Sequence, residues 1–311
     1  MLKRSVKVEI FQYDENGNEK FHKTFENNIS VRFNFQKYTG TSFFGYGKVS
    51  ICGLDKATTE TLTTICSEEQ ALKERKQIRV EAGYEDTKKA LIIDGSILSA
   101  VPTMPPDIWI DCLVLNGYER QQEMKSVSVK GRFNIKELAE IVAKQIGVKN
   151  GVICRIDNDV YGKRFYQRKT QNISLIDTVE NILNVISQNY SVEEGDMYGV
   201  PVAYIDNETL IVDYENFSEA EGQSRTHHKI DKNNGMIGLP EITKAGTIAN
   251  ITTLLKPEIL VGDVIDLESV MIKKANGQYN VIGISYVGDF RGEKWYSMFT
   301  CRRIIKWAKH H

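Results

Sequence analysis

The chain has 311 residues, 41% hydrophobic and 9% aromatic, enough apolar matter for cores in two or three domains and too much for a disordered chain. Lys and Arg total 40 against 41 Asp and Glu, a formal net charge of −1, so no basic excess of the kind a dedicated duplex-DNA binder carries is evident. No window approaches the roughly 18 consecutive apolar residues of a membrane helix, and Lys3, Arg4, Lys7 and Glu9 interrupt the N-terminal apolar residues, so neither a membrane span nor a signal peptide is expected.

Residues 1–130 read as a first β domain. Val6 to Tyr13 alternates, Asn16-Gly17 supplies a turn and Phe21 to Phe25 returns. Ile29, Val31, Phe33 and Phe35 share one face of the next strand, with Ser30, Arg32 and Asn34 on the other. Lys48 to Cys52 is a further strand, and Asp55 is placed to cap a short helix running to Ser67 with Ala57, Leu62 and Ile65 inward. Ile78 to Tyr84, Leu91 to Ala100 and Ile108 to Leu115 complete a sheet, with Pro102 and Pro105-Pro106 suited to a loop.

Residues 131–235 change texture and read as an α/β insert with a polar linker. Asn134-x-x-Glu137 has the form of a capping box, ahead of Ile135, Leu138, Ile141, Val142 and Ile146 at helical spacing and Gly147 as a stop. Ser174-x-x-Asp177 is expected to start a second helix, with Leu175, Val179, Ile182, Leu183 and Ile186 on its apolar face. Val202 to Ile205 and Leu210 to Asp213 form a hairpin joined at Asp206-Asn207, and Asn216 to Gly235 is expected to be loop or linker.

Residues 236–311 form a second β domain of short strands. In Val264 to Glu268, Ile265 and Leu267 point one way while Asp266 and Glu268 point the other. Asn276-Gly277 has the residue types of a type I′ turn, and after Tyr279 to Val287 a polar loop, Gly288 to Gly292, leads into the strand Trp295 to Arg302. Part of the first domain parallels this. Gly95-Ser96-Ile97-Leu98, then Asp107 to Cys112 around Trp109, has its counterpart in Gly283-Ile284-Ser285-Tyr286, then Lys294 to Cys301 around Trp295. Either one design occurs twice or an all-β chain shows a coincidence.

Candidate chemistry is sparse. Gly40 to Lys48 superficially suggests a phosphate loop, but G-x-x-x-x-G-K-[S/T] places neither Ser42 nor Val49 correctly, leaving a flexible aromatic-bearing loop. His227-His228 lacks partners at zinc-ligand spacing and reads as an exposed linker pair. Asp213, Glu215 and the Glu193-Glu194-Gly195-Asp196 cluster are the nominees for a glycosidase-like carboxylate pair, against the plainer reading of solvated strand ends and loops. With only His22 and the 227–228 pair outside the terminal His310-His311, a Ser-His-Asp or Cys-His site is poorly supplied. Lys163-Arg164-Phe165-Tyr166-Gln167-Arg168-Lys169 interleaves basic and aromatic residues as single-strand binding surfaces do, and equally suits an exposed basic stretch or a protein contact. Cys52, Cys66, Cys112, Cys154 and Cys301 are scattered without a C-x-x-C pair and are expected to be free, buried thiols of a reducing compartment. No catalytic residue, cofactor-binding residue or metal ligand is assigned.

The C-terminal motifs resemble the last domain of phage baseplate hub proteins, the family of the Mu-type hub and the late-control D proteins. They are Leu254-Leu255-Lys256-Pro257, Gly262-Asp263-Val264-Ile265-Asp266-Leu267, Asn276-Gly277-Gln278-Tyr279 and Gly288-Asp289-Phe290-Arg291-Gly292-Glu293-Lys294-Trp295-Tyr296. The first domain adds Val49-Ser50-Ile51-Cys52-Gly53-Leu54, Val80-Glu81-Ala82-Gly83-Tyr84, Gly95-Ser96-Ile97 and Pro106-Asp107-Ile108-Trp109, so the likeness covers most of the chain. The resemblance implies a mainly β fold, with two tube-protein-like β-barrel domains flanking the central α/β insert. It implies a non-enzymatic, cofactor-free subunit of a homotrimeric ring in the virion, assembled in the host cytoplasm. The ring would join the hexameric tail tube (or a distal tube protein) to the trimeric spike, beside other baseplate proteins, and let DNA pass without specific binding. Asp266 and Glu268 suit the lining of such a channel, since affinity for phosphates needs Lys and Arg. The alternatives are a cell-wall or glycan hydrolase with paired carboxylates, or the equivalent hub of a non-phage contractile injection system.

Overall fold

The computed structural model describes residues 3–14, 18–38, 44–63, 76–86, 89–104, 107–116, 123–131, 133–155, 171–189, 201–206, 209–214, 225–243 and 247–304. The N-terminal strands are β1 (Arg4–Tyr13), β2 (Glu19–Glu26), β3 (Ser30–Tyr38), β4 (Phe44–Cys52), β5 (Lys76–Tyr84), β6 (Ala90–Pro102) and β7 (Trp109–Asn116), with α1 (Lys56–Thr63) between β4 and β5. Period-two burial makes them strands: Val31, Phe33 and Phe35 of β3 are buried while Arg32 and Asn34 are exposed. Asp55 caps α1 by accepting from the Thr58 backbone N–H at 2.8 Å and its hydroxyl at 2.9 Å. Residues 64–75, where the expected helix continued, lie outside the described residues. Pro102, expected in a loop, is instead the last residue of β6 opposite Ile110, a strand-end position that needs no N–H donor.

The insert contains β8 (Met124–Gly131), α2 (Ile135–Ile146), β9 (Val152–Cys154), β10 (Gln171–Thr178), α3 (Val179–Asn189), β11 (Pro201–Asp206) and β12 (Thr209–Tyr214). The capping box of α2 is present in both directions, and Gly147 closes the helix at φ 78°. The start of α3 differs from expectation. Residues 171–178 are a strand paired with β8, and Thr178 caps the helix by accepting from Asn181 N–H at 3.3 Å. Asp177 lies in that strand opposite Lys125 and accepts from Thr178 N–H and the Asn181 amide. Strand pairing with β8, which periodicity did not suggest, overrides the local helix-start pattern. β11 and β12 pair antiparallel as expected, but Asp206, expected in the turn, is the last residue of β11 opposite Thr209, and residues 207–208 lie outside the described residues.

The C-terminal strands are β13 (His227–Ile230), β14 (Glu241–Thr243), β15 (Ile248–Leu254), β16 (Val264–Leu267), β17 (Gly277–Asp289) and β18 (Trp295–Arg303). Two expectations fail here. The expected linker contains β13, which runs parallel to β16. Asn276-Gly277 does not form a two-residue hairpin: β16 ends at Leu267, opposite Gly277. Asn276 sits at φ −61° after a 3₁₀ turn, Lys273–Ala275, and its side chain accepts from Ser269 N–H at 2.7 Å.

The two β regions share one 13-stranded sheet. Its order is β14-β15-β18-β17-β3-β4-β7-β6-β5-β1-β2, with β16 beside the first part of β17 and β13 beside β16. The seam is the antiparallel pair β17–β3, from Gly283↔Tyr38 to Asp289↔Arg32. No closed ring of strands occurs among the described residues. The order β14-β15-β18-β17 repeats as β3-β4-β7-β6, yet the two tryptophans do not correspond: Trp295 points inward and is buried, whereas Trp109 points to the opposite face. The strand order is duplicated and the Trp motif is not.

The insert docks through a three-stranded sheet, β11-β12-β9. Alternation gives that sheet two apolar faces: Ala203, Ile205, Leu210 and Val212 pack on α2 and α3, while Val202, Tyr204 and Ile211 enter the core of the large sheet.

Candidate functional site

Three polar junctions tie the regions of the fold together. The first lies where the insert meets the C-terminal strands. Asp213, at the end of β12, is the hydrolase nominee whose placement the structure describes. It shares the parity of Ile211, so its carboxylate enters the core. There it accepts from Arg155 at 3.1 Å and from Arg225 at 2.5 and 3.3 Å. Arg155 also reaches Val261 O at 2.7 Å and Asp263 at 3.5 Å, and Arg225 reaches Gly262 O at 2.5 Å. Burial pushes the Arg155 guanidinium down, but Asp213, Tyr204 and Asp263 raise it further, so it stands above its ordinary value. Both Asp213 carboxylate oxygens are occupied by guanidinium donors, so the group is engaged in the junction and not presented to a substrate.

Gly262-Asp263 completes this junction. Gly262 sits at φ 86°, and a Cβ there would run into the Arg155 guanidinium and lie 2.8 Å from Asp213 Oδ2. Asp263 accepts from Leu260 N–H at 2.9 Å and lies 3.1 Å from His228 Nε2. His227, one position earlier and facing the other way, lies 3.1 Å from Asp266 Oδ2. The histidines are therefore strand residues beside two different carboxylates and not part of a linker, with His227 exposed as expected and His228 partly buried. Strand alternation sends neighbours to opposite faces, so they do not converge. Among the described residues there is no group of three or more His, Cys, Asp or Glu able to hold a metal. Asp266 and Glu268, read as acidic outward positions, are paired here: Glu268 meets Lys229 at 2.7 Å, and Gln278 donates to Asp266 at 2.9 Å.

The second junction ties the insert to the N-terminal strands. Lys37 continues the inward parity of Val31, Phe33 and Phe35 and is 3% exposed. Its ammonium meets Asp206 of β11 at 3.2 Å, and Asn116 of β7 donates to the same oxygen at 3.2 Å. This residue was missed, although a lysine at the buried parity of an apolar strand was a readable signal.

The third junction is the turn between β17 and β18. Asp289 accepts from Arg291 N–H at 3.2 Å and Gly292 N–H at 2.9 Å, closing the turn, and takes Arg32 Nε of β3 at 3.0 Å. The Arg32 guanidinium lies over Trp109, 4.1 Å from the ring centre. Arg4 of β1 donates to the carbonyls of Asp289 at 2.8 Å, Gly292 at 2.5 Å and Glu293 at 2.9 Å, and Arg291 donates to Asn27 O at 2.9 Å. The polar loop thus clasps the N-terminal strands to the C-terminal ones. Arg4 and Arg32 were not singled out because nothing in their neighbours marks a contact more than 250 residues away.

Other nominees fall elsewhere. Glu215, Glu193, Glu194, Asp196 and the run 163–169 lie outside the described residues, as do residues 39–43. Phe44 to Lys48, expected in a flexible loop, belongs to β4. A Cβ on Gly45 would lie 2.8 Å from the Phe35 ring, so that glycine serves close strand packing. Cys112 and Cys301 are buried and Cys52 and Cys154 partly buried, and none of the four is in a disulfide. Burial pushes the Cys112 thiol up to about 12 and raises that of Cys301 as well. No helix of the described residues is long and apolar enough to cross a membrane.

These junctions are structural couplings between parts of one sheet-based scaffold, and known proteins share that scaffold. The profile of a family described as "Baseplate hub gp41" matches residues 6–301. No curated protein matches the sequence. The fold is similar to the 43 kDa tail protein of prophage MuSo2 from Shewanella oneidensis, with a TM-score of 0.51, 11% identity and 97% of each chain covered. It is similar to a tail protein from Neisseria meningitidis MC58, with a TM-score of 0.51, 8% identity, and 97% of this chain and 96% of that one covered. A chain of a PdpA–VgrG complex gives a TM-score of 0.52 at 7% identity, over 99% of this chain and 67% of that one. At such identities the likeness is one of fold.

Proposed function

The chain belongs to the baseplate hub gp41 family, and from that premise we propose that it is a structural subunit of a phage tail baseplate, three copies of which ring an axial channel between tail tube and spike. The observation that carries the reading is the duplicated strand order within one continuous sheet. A chain presenting two like units lets three copies offer six positions to a hexameric tube and three to a trimeric spike. Heterologous contacts around such a ring close on themselves. Within it, each set of four strands would contribute to a tube-like barrel, with the α/β insert between them docked on the large sheet through β11 and β12.

The reading is non-enzymatic. Asp213 is committed to Arg155 and Arg225. Asp266 and Glu268 stand beside His227 and Lys229, so a channel wall built from them presents no basic stripe to hold passing DNA. The resemblance also fits the equivalent part of a contractile injection machine other than a phage, and neighbouring genes separate the two. The direct test is light scattering of the purified chain with and without its spike protein across micromolar concentrations. A mass of three chains in the presence of the spike supports the ring. A persistent monomer there overturns it.

A further inference from the structure

We propose that the loop between β16 and β17, residues 268–276, is an anchor for an anionic membrane surface, with Val270 and Met271 entering the headgroup layer and Lys232, Lys273 and Lys274 facing its phosphates. The base of the loop is fixed. Ser269 N–H donates to the Asn276 side chain at 2.7 Å, and Ile272 N–H donates to Ser269 Oγ at 3.1 Å. Arg303 donates to the carbonyls of Lys274 at 3.2 Å and Asn276 at 3.0 Å, and the buried Tyr279 hydroxyl donates to Ala275 O at 2.7 Å. Ser269 and Ala275 are buried, and Ile272 packs on the large core. Between these fixed points Val270 is 59% and Met271 77% exposed. Single exposed apolar residues are common on any surface. Here two adjacent ones are held outward by a loop whose backbone is tied down on both sides of them, and they stand among unpaired cations.

The charge around this tip departs from that of the chain, whose formal net charge is −1. A cleft of about 440 Å³ lies between the loop and the turn after β13, and carries Lys229, Lys232 and Lys273 with Asp231 and Glu268. Both carboxylates are committed. Asp231 accepts from Asn233 N–H at 2.7 Å and Asn234 N–H at 2.9 Å, and Glu268 meets Lys229 at 2.7 Å. Lys232 and Lys273, and Lys274 next in the chain, are exposed and have no carboxylate partner among the described residues. An ammonium binds phosphate as a point charge and needs no fixed approach, which suits mobile headgroups. Apart from Val270, the residues lining the cleft are charged or polar, so it gives no apolar pocket to a partner's side chain, as a docked peptide requires. A bilayer interface offers an apolar layer and anionic phosphates side by side, and attraction to anionic lipid adds to apolar burial. The anchor lies on the membrane and does not span it.

The purified full chain is mixed with vesicles of phosphatidylcholine, alone or with one quarter phosphatidylglycerol, at low and raised salt, and the sedimented fraction is read. The expected result is sedimentation with the anionic vesicles only, weakened by salt. Lys273→Glu with Lys274→Glu lowers the partition by about 30-fold or more, from about fivefold for each lysine near an anionic surface. Val270→Ser with Met271→Ser lowers it by at least about tenfold. Met104→Ser, at another exposed position outside the loop, leaves it unchanged. In Met271→Trp, the added emission shifts to the blue on anionic vesicles and is quenched by lipid brominated along its acyl chains. All the substituted positions are exposed, and thermal melts run in parallel show the fold kept. No sedimentation with anionic vesicles overturns the proposal. Sedimentation undiminished in the Val270→Ser, Met271→Ser variant overturns it as adhesion by charge alone. Capture of a polyglutamate peptide by a chain that ignores the vesicles also overturns it, and assigns the loop to an acidic protein partner.

Discussion

Asp213 is surrounded by cations that nothing else nearby would neutralise so closely, and its removal exposes what it does. Asp213→Ala leaves Arg155 and Arg225 buried beside an empty space, and breaking a buried pair of this kind costs about 3–5 kcal/mol. Urea unfolding is expected to show that loss, whereas a catalytic acid at a solvated strand end would be removable with little effect on stability. Gly262→Ala is expected to destabilise by about 1–3 kcal/mol, because its φ of 86° strains a residue bearing a Cβ and because Arg155 occupies the space. Thiol chemistry reports on the core. With burial raising both thiols, Cys112 and Cys301 should resist iodoacetamide at pH 8 in the folded chain and react in urea, as read by mass spectrometry of peptides.

At the scale of elements, local signals hold where the element caps itself and fail where a distant strand decides. The α2 helix carries its own start and stop, so Asn134→Ala is expected to lower stability by about 1 kcal/mol in thermal melts. In α1 the Asp55 carboxyl is held below its ordinary 3.8 by the hydrogen bonds from Thr58. A depressed acid contributes stability that is present above its unfolded value and lost as pH falls through the folded one. The stability gap between the unvaried chain and Asp55→Ala should therefore be full near neutrality and close below pH 3.8, measured as urea midpoints. The pattern Ser174 to Asp177 misled because β8 pairs with it, and Asn276-Gly277 misled because Ser269 and the 3₁₀ turn take up its polar groups.

At the scale of the molecule, one sheet threads both β regions, and the insert is pinned to it by Lys37–Asp206 on one side and by the Arg155–Asp213–Arg225 group on the other. Such a body suits the structural role proposed above. The companion expectation is chemical silence: incubated with peptidoglycan, the chain should release no reducing ends above a heat-denatured control, and Asp213→Ala and Glu215→Ala should change nothing. Release that falls in those variants, at unchanged stability, would restore the hydrolase reading.

The sequence by itself determined the strands that alternate, the α2 helix and its caps, the β11–β12 hairpin and the run of motifs that points to the hub family, because each depends on residues close along the chain. Only the tertiary structure decided that β17 pairs with β3, that Lys37 finds Asp206, that Asp213 lies between two arginines and that Arg4 and Arg32 grip the turn at Asp289. The physical reason is common to all of these. Periodicity fixes which face a side chain takes, but the partner across a ladder or a buried ion pair is set by the register of segments far apart in the chain, and no local preference encodes that distance.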